Sequence, residues 1–214
     1  MDDLARHQCL IYDGPPSRSL PALVSMIRQR IVGGWRCMYF NSPAMVAGLR
    51  SGLAASGLDV EHELAGGRLI LAADDSHLVD GKFEIDRMIE TLEGSAGQAL
   101  TDGFAGLYAV GDMTWEFGHE KDFSKLLEYE WRLEQVFRKQ PALAGICQYH
   151  RDLLPQAALR DAMVSHASLF INETMSQMNP HYVPARSPRD RVPAAMNVVL
   201  DEAIAVLLAS QKMN

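Results

Sequence analysis

Short apolar runs recur along the chain at residues 9–12, 36–40, 69–72, 106–110, 145–149 and 169–171, each separated from the next by a stretch long enough for a helix. Leu20, Leu23, Val24, Ile27 and Ile31 share one face of a helix over 20–32, which Gly33 and Gly34 stop. Further helices are predicted over 44–56, with Ser42 as cap and Pro43 in the first turn, and over 83–92, 123–138 and 156–166. A parallel crossover needs about ten or more residues, usually a helix, so strands and helices alternating in this way make a mainly parallel sheet covered on both faces. The predicted class is three-layer α/β.

Composition narrows the partners. With 214 residues, 48% of them hydrophobic, the chain can bury one sizeable core. Its net charge of -7 argues against direct contact with nucleic acid, since neutralising phosphates needs a basic surface. The start "MDDLARHQCL" has no basic segment leading into an apolar one, and no membrane-spanning window is apparent. A cytoplasmic protein without a membrane anchor is expected. Cys9, Cys37 and Cys147 are an odd number of cysteines on strand-like runs, which suits reduced thiols. A proline- and arginine-rich linker is predicted over 179–193, ahead of a last helix over 194–214 whose stripe of Met196, Leu200, Ile204, Leu207 and Leu208 must cover its own sheet or a partner subunit.

The stretch between the first strand and first helix, "GPPSRS" at 14–19, has the setting of a phosphate loop without its chemistry. Such a loop, G-x-x-x-x-G-K-[ST], wraps phosphates in backbone N–H groups and reaches their charge with a lysine. This one is too short, lacks the second glycine, and places Arg18 roughly where the lysine would be.

In open parallel sheets ligands bind at the carboxyl ends of the strands. That rule singles out Asp13 and Gly14, Asn41 and Ser42, Asp74 and Asp75, Gly111, Asp112, Met113, Thr114 and Trp115, and His150 and Arg151; Arg18 on the loop and Cys147 and Tyr149 near the same end are taken with them as candidate ligand contacts. Asp112 stands where a magnesium-holding carboxylate would stand in an ATPase. With so few other magnesium ligands, a helix cap or a hydrogen bond in the crevice suits it better. Met113, Trp115 and Tyr149 offer apolar walls or plain core packing. Cys37 reads as core. Glu128, Glu130 and Glu134 in "LLEYEWRLEQ" read as a solvated helix face, with Trp131 available for a subunit contact.

The run "HQCLIY" has the form H-x-C-x-x-Y, and is followed in order by "GGWRCMYF", "GGRLIL", "GFAGLYAVGDMTW", "LLEYEWRLEQ", "GICQYHRDLLP" and "SHASLF". This series resembles the MEDS domain, the methanogen/methylotroph sensory domain named after the dichloromethane-responsive regulator DcmR, over about residues 5–172. The resemblance implies a sensor of small hydrocarbon derivatives, descended from RecA/KaiC-like ATPases whose phosphate loop occupies the place of "GPPSRS". The family usually has Asp where this chain has His150, replacing a carboxylate by an imidazole. Many members also carry a DNA-binding or kinase module. None is visible here, so the output is expected to pass through a separate signalling or regulatory protein.

Only the resemblance gives His7 and Cys9 a functional role, because strand polarity puts them at the other edge of the sheet. His7, Cys9, Cys147 and His150 could form a Cys/His metal set, or His7 could lower the pKa of Cys9 to make a redox-sensing thiol. The bland alternative is a small buried Cys9 and a hydrogen-bonded His7. The expectation is one crevice flanked by His7, Cys9, Asp112, Trp115, Cys147 and His150. It would serve a non-enzymatic, homo-oligomeric sensor that binds a small, largely apolar metabolite and needs no cofactor. The alternatives are a nucleotide-binding or hydrolysing protein, a thiol- or metal-based redox sensor, and a pure assembly module.

Overall fold

The computed structural model describes residues 6–184 and 193–212, so part of the proline- and arginine-rich linker, 185–192, lies outside the described residues. The strands are β1 (His7–Tyr12), β2 (Arg36–Phe40), β3 (Leu69–Ala72), β4 (Leu107–Asp112), β5 (Leu143–His150), β6 (Ser168–Asn172) and β7 (Met175–Met178). The helices are α1 (Leu20–Val32), α2 (Pro43–Ala55), α3 (Val60–Ala65), α4 (Ile85–Thr101), α5 (Met113–Glu116), α6 (Leu126–Lys139), α7 (Gln156–Ser165) and α8 (Asn197–Lys212). The strands form one sheet in the order β3-β2-β4-β5-β1-β6-β7. All neighbours are parallel except β7, which returns antiparallel along β6.

The central strands are buried along their whole length, which is why they read as continuous apolar runs rather than as alternating ones. Leu10 and Tyr12 of β1 face the layer built on Leu23, Ile27, Leu49 and Leu53, from α1 and α2. Cys9 and Ile11 face the opposite layer, which holds α4, α6, α7 and α8. Gly145 lets β5 keep its register, since a Cβ there would come within 2.2 Å of the Ala109 carbonyl oxygen on β4.

Two local expectations change, and one left open is resolved. The helix predicted over 83–92 runs from 85 to 101 as α4. Gly94 and Gly97 weaken its intrinsic propensity, but Leu92, Ala96 and Ala99 continue the buried stripe, and packing overrides propensity. Ser42 stands at the start of α2 without a side-chain cap bond. Its own N–H donates to Asn41 Oδ1 at 2.7 Å instead. The stripe of α8 lies on its own chain, with Leu200, Ile204, Leu207 and Leu208 buried against α7, β1 and β6. Among the described residues, only the stretch 194–212 is long and apolar enough to cross a membrane, and its Leu200, Ile204, Leu207 and Leu208 lie in this contact.

Candidate functional site

At the carboxyl edge of the sheet, the chain builds a network on the α1/α2 side. Asp112 ends β4 and accepts from Thr114 N–H at 2.9 Å, from the Thr114 hydroxyl, from Tyr12 OH at 3.0 Å and from Asn41 Nδ2 at 3.4 Å. Its carboxylate caps α5 and is saturated by these donors, leaving no obvious open position for a magnesium ion. His150 clasps two loops. Its Nε2–H donates to Gly14 O at 2.7 Å, and its Nδ1 accepts from Asp152 N–H at 3.2 Å, which fixes the neutral tautomer. The Tyr12 ring meets it edge-on at 4.8 Å.

Beside this network opens a cleft of about 230 Å³ between the loop after β1, the end of β6 and α8. Leu10, Phe170 and Leu208 supply apolar wall, and Asp13, Arg18 and Lys212 supply charge. Lys212 lies 2.6 Å from Asp13 and Arg18 lies 3.5 Å from it. The hydrogen bond from Lys212 holds the Asp13 carboxyl below the usual carboxylate range. The loop is a poor phosphate cradle. Pro15 and Pro16 have no N–H, Gly14 N–H donates to Asp152 at 3.0 Å, and Arg18 N–H donates back to Pro15 O at 2.9 Å.

On the other side of the sheet, beneath α6 and α7, lies a buried ionisable cluster. His7 Nδ1–H donates to Glu134 Oε2 at 2.9 Å, and His7 Nε2 lies 3.4 Å from both Cys147 Sγ and Glu130 Oε2. Glu130 Oε1 accepts from Tyr149 OH, and Oε2 lies 3.4 Å from His166 Nε2. The His7 ring stacks on Phe137 at 4.5 Å. Burial alone would lower the His7 pKa, but Glu130 and Glu134 outweigh it and bring it up to about 9. Burial and the nearby His7 take His166 down to about 4. Burial also pushes the Cys9 and Cys147 thiols well up, helped by Glu130. Next to Cys147, a hole of about 20 Å³ is lined by Met113, Glu116 and Tyr129, among others. Burial raises Glu116 to about 8 while Tyr129 donates to it at 2.9 Å.

Residues 6–167 match the family model of the MEthanogen/methylotroph, DcmR Sensory domain, MEDS. The chain belongs to the MEDS family. No curated protein matches it. The family blocks fall on both faces of the sheet of this MEDS domain: "HQCLIY" forms β1 and "GICQYH" most of β5, with Cys9 paired to Cys147 and Tyr12 to His150.

The single crevice expected from the sequence is therefore divided by the sheet. Successive side chains of a strand point to opposite faces, so Tyr12, Asp112 and His150 meet on one face while His7, Cys9, Cys147 and Tyr149 meet on the other. Asp13 and Arg18 line the cleft. Met113 and Cys147 border the small hole, and Trp115 packs 4.7 Å from the His77 ring. The metal set changes as well: both His150 ring nitrogens are engaged with backbone, and the groups grouped with His7 and Cys147 are Glu130 and His166. Cys9 is fully buried, and its pKa is raised rather than lowered, by burial and by the charge of Glu130. Glu130 and Glu134 are not a solvated face, and Trp131 is buried in its own chain, donating to Val183 O at 3.2 Å.

Proposed function

We propose that this MEDS domain binds a small, largely apolar metabolite, a hydrocarbon or one-carbon derivative, in the cleft between the loop after β1 and α8. The bound state is passed to a separate regulatory protein, and no chemistry is done on the ligand. The observation that carries this reading is the cleft itself. It lies at the carboxyl end of β1, where open parallel sheets bind ligands, and joins apolar walls at Phe170 and Leu208 to a small charged group of Asp13, Arg18 and Lys212. A ligand there touches α8 directly, and the outer face of α8 exposes Val198, Val199 and Val206. Moving α8 would change what that face presents to a partner.

Nucleotide binding is disfavoured by the loop, whose prolines and self-directed amides cannot wrap a triphosphate. Calorimetry and melting curves with short haloalkanes, alcohols and carboxylates, and with ATP and magnesium, test the reading. At least one small derivative should bind and raise the melting temperature, and Ala22→Phe, which fills the cleft, should abolish the effect. ATP with magnesium should stay silent, in the wild type and in Arg18→Lys. Low-micromolar binding of ATP would overturn the assignment in favour of a nucleotide switch.

A further inference from the structure

The geometry points to a closed, tetrahedral site for a zinc-class divalent cation, made by His7, Glu130, Cys147 and His166. One ligand atom from each of the four lies within 4.8 Å of every other. Three separations, His7 Nε2 to Cys147 Sγ, His7 Nε2 to Glu130 Oε2 and His166 Nε2 to Glu130 Oε2, are 3.4 Å each. Zinc bonds of about 2.0–2.3 Å arranged tetrahedrally give ligand-to-ligand edges of about 3.3–3.7 Å. These three separations have that length, and the remaining pairs lie within 4.8 Å.

A second observation is independent of the spacing. His166 is fully buried, and its Nδ1–H donates to Ala162 O at 2.9 Å, so the neutral ring carries a lone pair on Nε2. That nitrogen and Glu130 Oε2 make no hydrogen bond among the described residues. Two acceptors thus face each other in a dry interior with a proton donor at hand, His7 Nε2 at 3.4 Å from the carboxylate, and a metal cation in place of that proton would satisfy both. The outer contacts match those of a metal centre too. Glu134 receives the Nδ1–H of His7, Ala162 O receives that of His166, and Tyr149 holds the other oxygen of Glu130. Such partners orient metal-binding imidazoles and carboxylates.

The donor set names the cation class. Two imidazoles, a thiolate and one carboxylate suit zinc, whereas calcium and magnesium take oxygen ligands throughout. Cys147 would bind as thiolate and His7 through a deprotonated Nε2, both protons passing to solvent. Four protein ligands leave no open position, so the site ties β1, β5, α6 and the C-terminal end of α7 together rather than activating water. The inference does not depend on the cleft, and either can fail alone.

The test is the metal content and cobalt spectrum of the full chain, purified under reducing conditions from cells supplied with zinc, or with cobalt in its place. The expected result is about one zinc per chain and, with cobalt, intense visible bands of a tetrahedral ion with a thiolate-to-cobalt charge-transfer band. Cys147→Ser should remove the charge-transfer band, and His166→Gln should lower metal occupancy at least tenfold. His150→Gln, outside the cluster, should keep both properties. Folded wild-type protein that takes up neither zinc nor cobalt would overturn the assignment, with no reliance on any variant's folding. So would a cobalt spectrum unchanged in Cys147→Ser.

Discussion

Glu130→Ala should destabilise the metal-free protein by about 3–5 kcal/mol, read as a lower urea midpoint with an unchanged slope, because it removes one partner of a buried charged group. Glu130 has no exposed surface, and its carboxylate faces His7 and His166 while holding the Tyr149 hydroxyl. Alanine leaves His7 with Glu134 alone, orphans Tyr149 and opens a cavity under α6. Glu130→Gln fills the space and keeps an acceptor for Tyr149, so its loss should be clearly smaller. Equal losses for the two variants would mean that charge at this position contributes nothing.

Removing residues 194–214 should have an effect of similar size. Leu200, Ile204, Leu207 and Leu208 are all buried, and each is worth about 1.5–3 kcal/mol against exposure before the cost of ordering the helix. The deletion also strips Arg160 of its two-point contact with Asp201 and Asp13 of Lys212. The bared surface of α7, β1 and β6 is apolar and contiguous, a known cause of association. Light scattering should show aggregates or a larger mass. A truncated chain with unchanged mass and melting temperature would show that α8 covers nothing essential.

The sheet was legible because its strands are apolar and its crossovers long: the predicted 36–40 and 69–72 coincide with β2 and β3, and 20–32 with α1. β7 was not legible. "MSQM" is exposed along its whole length and has no continuous apolar run, being held by backbone pairing to β6. The cluster was half legible. Nothing local to His7 announces a partner at Glu134, 127 residues away. One signal was available: Leu126, Glu130, Leu133, Glu134 and Phe137 recur at helical spacing, which places both glutamates within an apolar stripe rather than opposite it. The division of the site into two faces also follows from strand alternation, once Cys9 is known to pair with Cys147 and Asp112 with Gln148.

The central claim is that the sensed molecule occupies the cleft beside α8, and methyl spectra of the isoleucine- and leucine-labelled chain test it most directly. Titrated with the small haloalkanes, alcohols and carboxylates, the protein should show saturable shifts at Leu10, Ile171 and Leu208, which line that cleft. Saturable shifts confined instead to Leu92, Leu133 and Ile146, around the small hole on the opposite face, would contradict it.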